Sequence, residues 1–197
     1  MRIVVTEFIS LDGVVQAPGG PEEDTDGGFT HGGWSHPFFD VETMGAAFDD
    51  AIQGADALLF GRRTWAVMAQ AWPERSGDPF SDRINTIPKY VVTSTLGDDA
   101  MVWGTTCIPG DEAIARIGAL RQAEGRNVLV MGSPTLVRTL LSAGLVDELR
   151  LMIVPILLGG GKSIFPDDGA KQPLELVSTV TSSTGVHVCT YRPAIGA

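Results

Sequence analysis

A chain of 197 residues with 44% hydrophobic and 19% charged residues can build one domain with a sizeable core, and it is too apolar to be disordered. Its formal net charge of −10, with only 14 Lys and Arg, leaves no basic patch for a nucleic acid, and no apolar run reaches the length of a membrane span. The sequence opens on a strand pattern rather than a secretory leader, and Cys107 and Cys189 stand far apart in apolar, strand-like contexts, so buried thiols and a cytoplasmic setting are expected.

Residues 2–10 are β-branched and apolar with few polar breaks, the pattern of a central strand covered on both faces. Ser10 and Asp12 follow at its carboxyl end, where open α/β sheets bind ligands. An Asx-type turn closed by Gly13 is the alternative reading. A loop rich in Gly, Pro and acid then runs over about 12–38, a length typical of lids and binding loops. Its tail carries aromatics, Trp34 among them, that can close over a ligand. His31 and His36 have no carboxylate or cysteine in a recognisable ligand spacing, so no metal site is expected.

Asp40 as N-cap, a stripe of Val41, Met44, Phe48 and Ile52, and Gly54 as stop predict the first helix, with Glu42 on its first turn. Residues 56–60 read as a buried strand and Gly61 as a turn. Residues 62–72 read as a helix with Trp65, Met68 and Trp72 on one face. Arg62 and Arg63 therefore occupy a first helical turn, where partial positive charge disfavours them. A bound phosphate reverses that sign, because free N–H groups, the helix dipole and both guanidiniums can converge on it. Solvated surface arginines are the alternative. Residues 73–87 read as an irregular connection punctuated by Pro73, Gly77 and Pro79.

Residues 90–93 form a short buried strand pattern ending in Ser94-Thr95, hydroxyls that either donate to phosphate or cap a turn. Residues 101–103 and 105–108 read as short strands. A helix capped by Asp111 follows, with Ile114, Ile117 and Leu120 on one face and Gly125 at its end. Residues 127–131 are the cleanest buried strand. Gly132 leads to Ser133 as N-cap and Pro134 as first helical residue, with Leu136, Val137, Leu140 and Leu141 buried. Strand, glycine and helix start thus recur, offering a second phosphate cradle, though not the six-position glycine fingerprint of dinucleotide-binding folds.

Residues 147–158 form a long apolar strand pattern in which Pro155 implies a bulge or an exposed side. It ends in Gly159-Gly160-Gly161, which let a backbone approach a ligand closely or make a flexible turn. Residues 173–182 and 186–192 alternate across Ser183-Thr184-Gly185 as an antiparallel hairpin. The whole predicts one α/β domain over 1–197, with a mostly parallel central sheet flanked by helices and finished by that hairpin.

The pieces Ser10-Leu11-Asp12-Gly13, Gly61-Arg62-Arg63-Thr64-Trp65, Val92-Thr93-Ser94-Thr95 and Val130-Met131-Gly132-Ser133-Pro134-Thr135-Leu136 stand in a telling order. Gly144-Leu145-Val146-Asp147-Glu148-Leu149 follows, leading to Pro155-Ile156-Leu157-Leu158-Gly159-Gly160-Gly161. That order resembles the dihydrofolate reductase-like fold, and most of all its riboflavin-biosynthesis reductase branch (the RibD C-terminal domain). The resemblance implies NADPH as cofactor. Gly61, Arg62, Arg63 and Thr64 would meet its phosphates, an arginine facing the phosphate on the adenosine ribose. Ser94 and Thr95 would lie at the adenosine side, and Gly132, Ser133, Thr135 and Leu136 at the pyrophosphate. Ser10–Gly13 and Pro155–Gly160, with Gly159 and Gly160, would flank the nicotinamide and substrate.

The resemblance further implies a reductase that passes a hydride to a small heterocyclic or carbonyl-type substrate. Asp12 is the candidate catalytic residue, for substrate binding or proton delivery, with Trp34, Glu42 and Pro155 at the substrate. A non-catalytic nucleotide- or ligand-binding module on the same fold is the alternative. The C-terminal hairpin is also a candidate homodimer surface, as the riboflavin-type relatives suggest.

Overall fold

Alternate residues of β1 (Arg2–Ser10) and β5 (Asn127–Met131) are apolar on both faces of the sheet, which is why their sequences read as continuous runs. Ile3, Val5, Val128 and Val130 face one side, with Leu59, and pack on Ile117, Val137 and Leu140. Val4, Leu58, Phe60 and Leu129 face the other and pack on Ile52, Trp65 and Ile84. Each such side chain contributes about 1.5–3 kcal/mol when fully buried.

The computed structural model describes residues 1–194. Its other strands are β2 (Ala55–Gly61), β3 (Lys89–Thr93), β4 (Thr105–Pro109), β6 (Glu148–Val154), β7 (Leu174–Thr181) and β8 (His187–Pro193). The helices are α1 (Ala46–Gln53), α2 (Arg62–Ala71), α3 (Pro79–Thr86), α4 (Ala113–Gln122) and α5 (Pro134–Ser142). One sheet of 8 strands runs in the order β4-β3-β2-β5-β1-β6-β8-β7. All pairings from β4 to β6 are parallel, and β8 is antiparallel to both β6 and β7.

One register detail creates the site. β5 stops at Met131, opposite Thr6, whereas β1 continues to Ser10 alongside β6 alone. A gap therefore opens at the carboxyl end of β5, between the second half of β1 and the start of α2. It is the place where chain leaves the sheet from adjacent strands, and ligand sites in α/β sheets form there.

Several local expectations differ from what the chain does. Residues 73–87 are not an irregular connection throughout, because α3 forms there. Asp78 accepts from the Ser81 amide at 2.9 Å, Pro79 takes the first turn, and Ile84 is fully buried. The first helix begins with a π turn over Val41–Gly45, capped by Asp40, which accepts from the Thr43 amide at 2.6 Å. Val41 is 76% exposed, so the buried stripe starts only at Met44.

Residues 101–103 form no strand. Trp103 takes a left-handed φ of 60°, stacks on Phe60 with centroids 6.2 Å apart, and donates to Asn85 Oδ1 at 2.6 Å. Asp111 makes no side-chain cap; it lies in a 3-10 turn, and Ile114 beyond it is exposed. α4 ends at Gln122, short of Gly125. β6 ends at Val154, so Pro155 lies beyond the ladder and forces no bulge. Cys189 is buried as expected, while Cys107 is half-buried.

Lys89 at the start of β3 is 1% exposed. Its Nζ donates to the Asn85 and Ile87 carbonyls at 2.7 and 2.8 Å, closing the end of α3, and lies 4.6 Å from the Trp103 ring centroid. No carboxylate pairs with it among the described residues, and burial lowers its pKa to about 8. The Lys89→Ala variant leaves those carbonyls unpaired and should lose about 2–4 kcal/mol in urea denaturation. In the wild type the unfolded chain keeps this proton at pH values where the folded chain has lost it. Stability should therefore rise with pH above about 8, and that rise should vanish in the variant.

Candidate functional site

The turns out of β2 and β5 are tied to each other. Gly61 N donates to Ser133 Oγ at 2.9 Å, and Ser133 N donates to Thr64 Oγ1 at 3.0 Å. Gly132 and Ser133 both lie in the left-handed region, with φ of 59° and 63°. A Cβ on Gly132 would meet Thr64 Cγ2 at 3.1 Å, so the close approach of the two helix starts needs glycine there. Ser133 stands at the N-cap position of α5, as expected, but its hydroxyl makes no cap bond and joins α5 to the end of β2 instead. The left-handed Ser133 costs about 1–2 kcal/mol, which the two bonds roughly offset. Both helix starts consequently open on one space.

That space is a cleft of about 440 Å³. Arg62, Thr64, Gly132 and Pro134 stand on one side, Thr6 and Glu7 of β1 below, and Phe8, Phe48, Met68 and Trp72 form apolar wall. A recess of about 420 Å³ continues past Gly61, Thr135, Leu136, Arg138 and Lys162, sharing the wall of Arg62–Thr64 and Ser133–Pro134. The result is an extended trough with helix-start amides along one side.

Charge in the trough is arranged unevenly. Arg63 pairs with Asp26 of the long loop, and Lys162 bonds to Asp24 at 2.6 Å and Asp26 at 3.0 Å. Hydrogen bonds from Arg63 and Lys162 hold the Asp26 pKa at about 2. Arg62 forms no ion pair among the described residues. So one of the two adjacent guanidiniums is committed and the other is free.

The loop itself is folded around a buried side chain. Gln16 donates to the carbonyls of Asp24 and Asp26 at 3.0 and 2.9 Å and accepts from Lys162 N at 3.1 Å. Trp34, expected at the substrate, is instead 6% exposed in a core with Met44, Met152, Val154 and Val186. Its Nε1 donates to the Gln16 carbonyl at 2.7 Å, so its role here is to hold the loop. Glu42, also expected at the substrate, is exposed on the π turn and does not line the trough. Pro155 is exposed beyond β6 against Gly185 of the hairpin turn, outside the trough.

Asp12 lies exposed where β1 meets the glycine-rich segment. It accepts from Ser10 Oγ at 2.6 Å, from Gly159 N at 2.7 Å and from Leu158 N at 3.1 Å. The Ser10 hydroxyl first, then the Gly159 amide, holds its carboxyl below the usual range, so it stays ionised as an acceptor. It anchors Leu158–Gly159, while Gly159 and Gly160 border a separate recess with Phe29 and His31. Ser94 and Thr95 stand exposed at the carboxyl end of β3, where Thr93 Oγ1 accepts from the Thr95 amide at 3.1 Å. Among the described residues no three His, Cys, Asp or Glu side chains gather as a metal site, and no helix is long and apolar enough to cross a membrane.

The residues that sequence reasoning missed are Thr6 and Glu7. Glu7 is 3% exposed and Thr6 2%, both line the cleft, and both Glu7 Oε1 and Thr6 Oγ1 lack any hydrogen-bond partner. Burial drives the Glu7 pKa well above the ordinary carboxyl value and the Glu23 charge adds to it, with the Gly132 amide opposing. The available signal was an acid inside an otherwise apolar central strand, which is costly to bury without a partner.

The comparisons agree with this architecture. Residues 2–188 match the family model described as the RibD C-terminal domain. The chain belongs to that family. It is 27% identical over 200 residues to the uncharacterized protein YyaP of Bacillus subtilis (strain 168), covering 97% of this chain and 94% of that protein. Among solved structures, a protein of Shewanella sp. PV-4 named for riboflavin biosynthesis superposes with a TM-score of 0.72 at 20% identity, covering 98% of this chain and 99% of that one. A pyrimidine reductase-like protein of Corynebacterium diphtheriae gives 0.61 at 16%, over 98% and 92%. Dihydrofolate reductase of Enterococcus faecalis, in a complex with NADP(H), gives 0.61 at 17%, over 98% and 96%. The fold of this family member is thus dihydrofolate reductase-like.

Glu7 has a consequence for stability. In the unfolded chain its carboxyl ionises at the ordinary value, while in the folded chain it keeps its proton to much higher pH. Folding therefore loses up to about 1.4 kcal/mol per pH unit between those two values. The Glu7→Gln variant should gain stability over the wild type progressively as pH rises above the ordinary carboxyl value, as read by parallel thermal melts.

Proposed function

We propose that this protein is an NADPH-dependent reductase of a small heterocyclic or carbonyl-type substrate. The observation that carries the reading is Arg62, without an ion pair among the described residues, on a first helical turn beside a second helix start, at a cleft that the buried acid Glu7 also lines. The donor set fits a phosphorylated dinucleotide. A monoester phosphate gives the Arg62 fork a partner that a ribose hydroxyl cannot, and the Thr135 and Leu136 amides of the first turn of α5 are left without helical acceptors. Thr64 and the Gly61, Gly132 and Ser133 backbone hold the two helix starts at that spacing. Ser94 and Thr95 are assigned to the adenosine side, because they stand at the carboxyl end of the strand next to β2.

When bound, NADPH supplies the hydride. The chain supplies orientation and exclusion of water. Phe8, Phe48, Met68 and Trp72 give an apolar wall suited to a ring. Asp12 is assigned a positioning role, since it fixes Leu158 and Gly159 rather than carrying a proton.

Binding of NADPH and NADH by the wild type, Arg62→Ala and Asp26→Asn separates these roles. Loss of the Arg62 contact should weaken NADPH by roughly tenfold to a hundredfold, with little change for NADH. Asp26→Asn releases Arg63 and should tighten NADPH several-fold. Unchanged NADPH affinity in Arg62→Ala refutes the phosphate assignment. Tight NADPH binding with no oxidation across a panel of carbonyl and pteridine compounds would make the protein a binding module instead.

We further propose that the C-terminal hairpin pairs with a second copy. β7 ends the sheet and leaves Leu174, Leu176, Val177 and Val180 exposed. Light scattering should report a dimer, and the double variant Val177→Lys, Val180→Lys should report a monomer with the NADPH affinity retained.

A further inference from the structure

Three features of the cleft concern one side chain that the reading above leaves unused. Glu7 is buried in the central strand, it lines the space where a substrate ring would lie, and Oε1 has no partner. The charged groups sharing the cleft are Glu23, Asp24, Arg62 and Arg63, with Asp26, Arg138 and Lys162 in the adjoining recess. None forms an ion pair or hydrogen bond with Glu7, and Arg63 and Lys162 are already held by Asp24 and Asp26. His36 acts on Glu23 rather than on Glu7.

We propose that Glu7 is the catalytic acid of the cleft, a neutral carboxyl whose O–H is aimed at a hydrogen-bond acceptor of an uncharged ring substrate. This rests on the reductase reading and deepens it by naming the proton donor and the substrate class. Burial first, then the Glu23 charge, favour the protonated form of this carboxyl, against the Gly132 amide. A neutral carboxyl is a donor, and an unpaired buried donor selects a ligand that offers an acceptor. The apolar wall of Phe8, Phe48 and Trp72 favours the same kind of ligand, since it gives no hydrogen bond to repay the lost hydration of a charged one.

The step balances with the hydride that the reading assigns to NADPH. The carbon of a substrate C=N or C=O bond gains the hydride with its electron pair, and the π bond breaks toward the heteroatom. The Glu7 O–H bond breaks, a new N–H or O–H bond forms on the substrate, and NADP+ and the Glu7 carboxylate remain. Water admitted as product leaves returns the proton. Asp12, exposed and held ionised by its donors, does not carry that proton.

The test uses the full chain, the Glu7→Gln variant and the probe 1,3-dimethylpteridine-2,4-dione, a ring that is neutral and offers only acceptors. Infrared difference spectra at neutral pH should show a neutral-carboxyl carbonyl band in the wild type that Glu7→Gln removes. Probe binding by the wild type should weaken about tenfold or more as pH passes the point where that band disappears. Glu7→Gln, whose amide still donates, should bind the probe with no such pH dependence. For any panel compound that oxidises NADPH, turnover should fall about a hundredfold or more in Glu7→Gln with NADPH affinity unchanged. An ionised Glu7 at neutral pH, or the same pH profile of probe binding in both proteins, or equal turnover, overturns the proposal. Failure of NADPH to bind sinks the reductase reading alone, because the infrared and probe measurements on the free protein still decide the state and role of Glu7.

Discussion

The site depends on the reciprocal bonding of two strand-to-helix turns, Gly61 N to Ser133 Oγ and Ser133 N to Thr64 Oγ1. Each bond is worth only about 1 kcal/mol. Their geometric effect is larger, because they bring two helix starts side by side at the end of the sheet. Amides that a single helix would present to solvent then converge on one trough. The left-handed backbone at Gly132 and Ser133 is tolerated because these contacts over-determine it.

The same turn defines the floor of the cleft. With β5 ended at Met131, the β1 backbone beyond Thr6 has β6 as its only strand neighbour. Glu7 lies in this half-covered stretch, deep enough to lose water but beyond the last residue that β5 covers. An acid there would be a defect in a sealed core. At the edge of a cleft it is a group whose ionisation the surroundings disfavour and whose Oε1 has no hydrogen-bond partner.

Electrostatics explains how a chain of net charge −10 can present a site for an anion. The overall field opposes binding, so attraction must come from local donors. The long acidic loop reaches across the trough through Asp24 and Asp26 and neutralises Arg63 and Lys162, leaving Arg62, and Arg138 in the adjoining recess, without an ion pair among the described residues. Gln16 and Trp34 hold the loop in that position from within. The loop is thus part of the charge pattern of the site.

Much of this was legible along the chain. The parallel strands, the terminal hairpin and the two strand–glycine–helix starts follow from apolar runs and turn residues, whose effects are local. Arg62 and Arg63 stood out because their position conflicts with the helix dipole, again a local argument. α3 is obscured because Pro73, Gly77 and Pro79 read as breakers, although Asp78-Pro79 is itself a helix start. Trp34 looked like a ligand-facing aromatic because sequence cannot say which side of a loop faces inward. Sequence by itself determined which segments are buried and where the chain turns, since periodicity and turn chemistry act over a few residues. Only the tertiary structure decided which arginine is free, that Ser133 ties β2 to α5 rather than capping its own helix, and that Glu7 is an unpaired acid in a cleft. Those properties depend on partners tens of residues away in the chain, or on their absence.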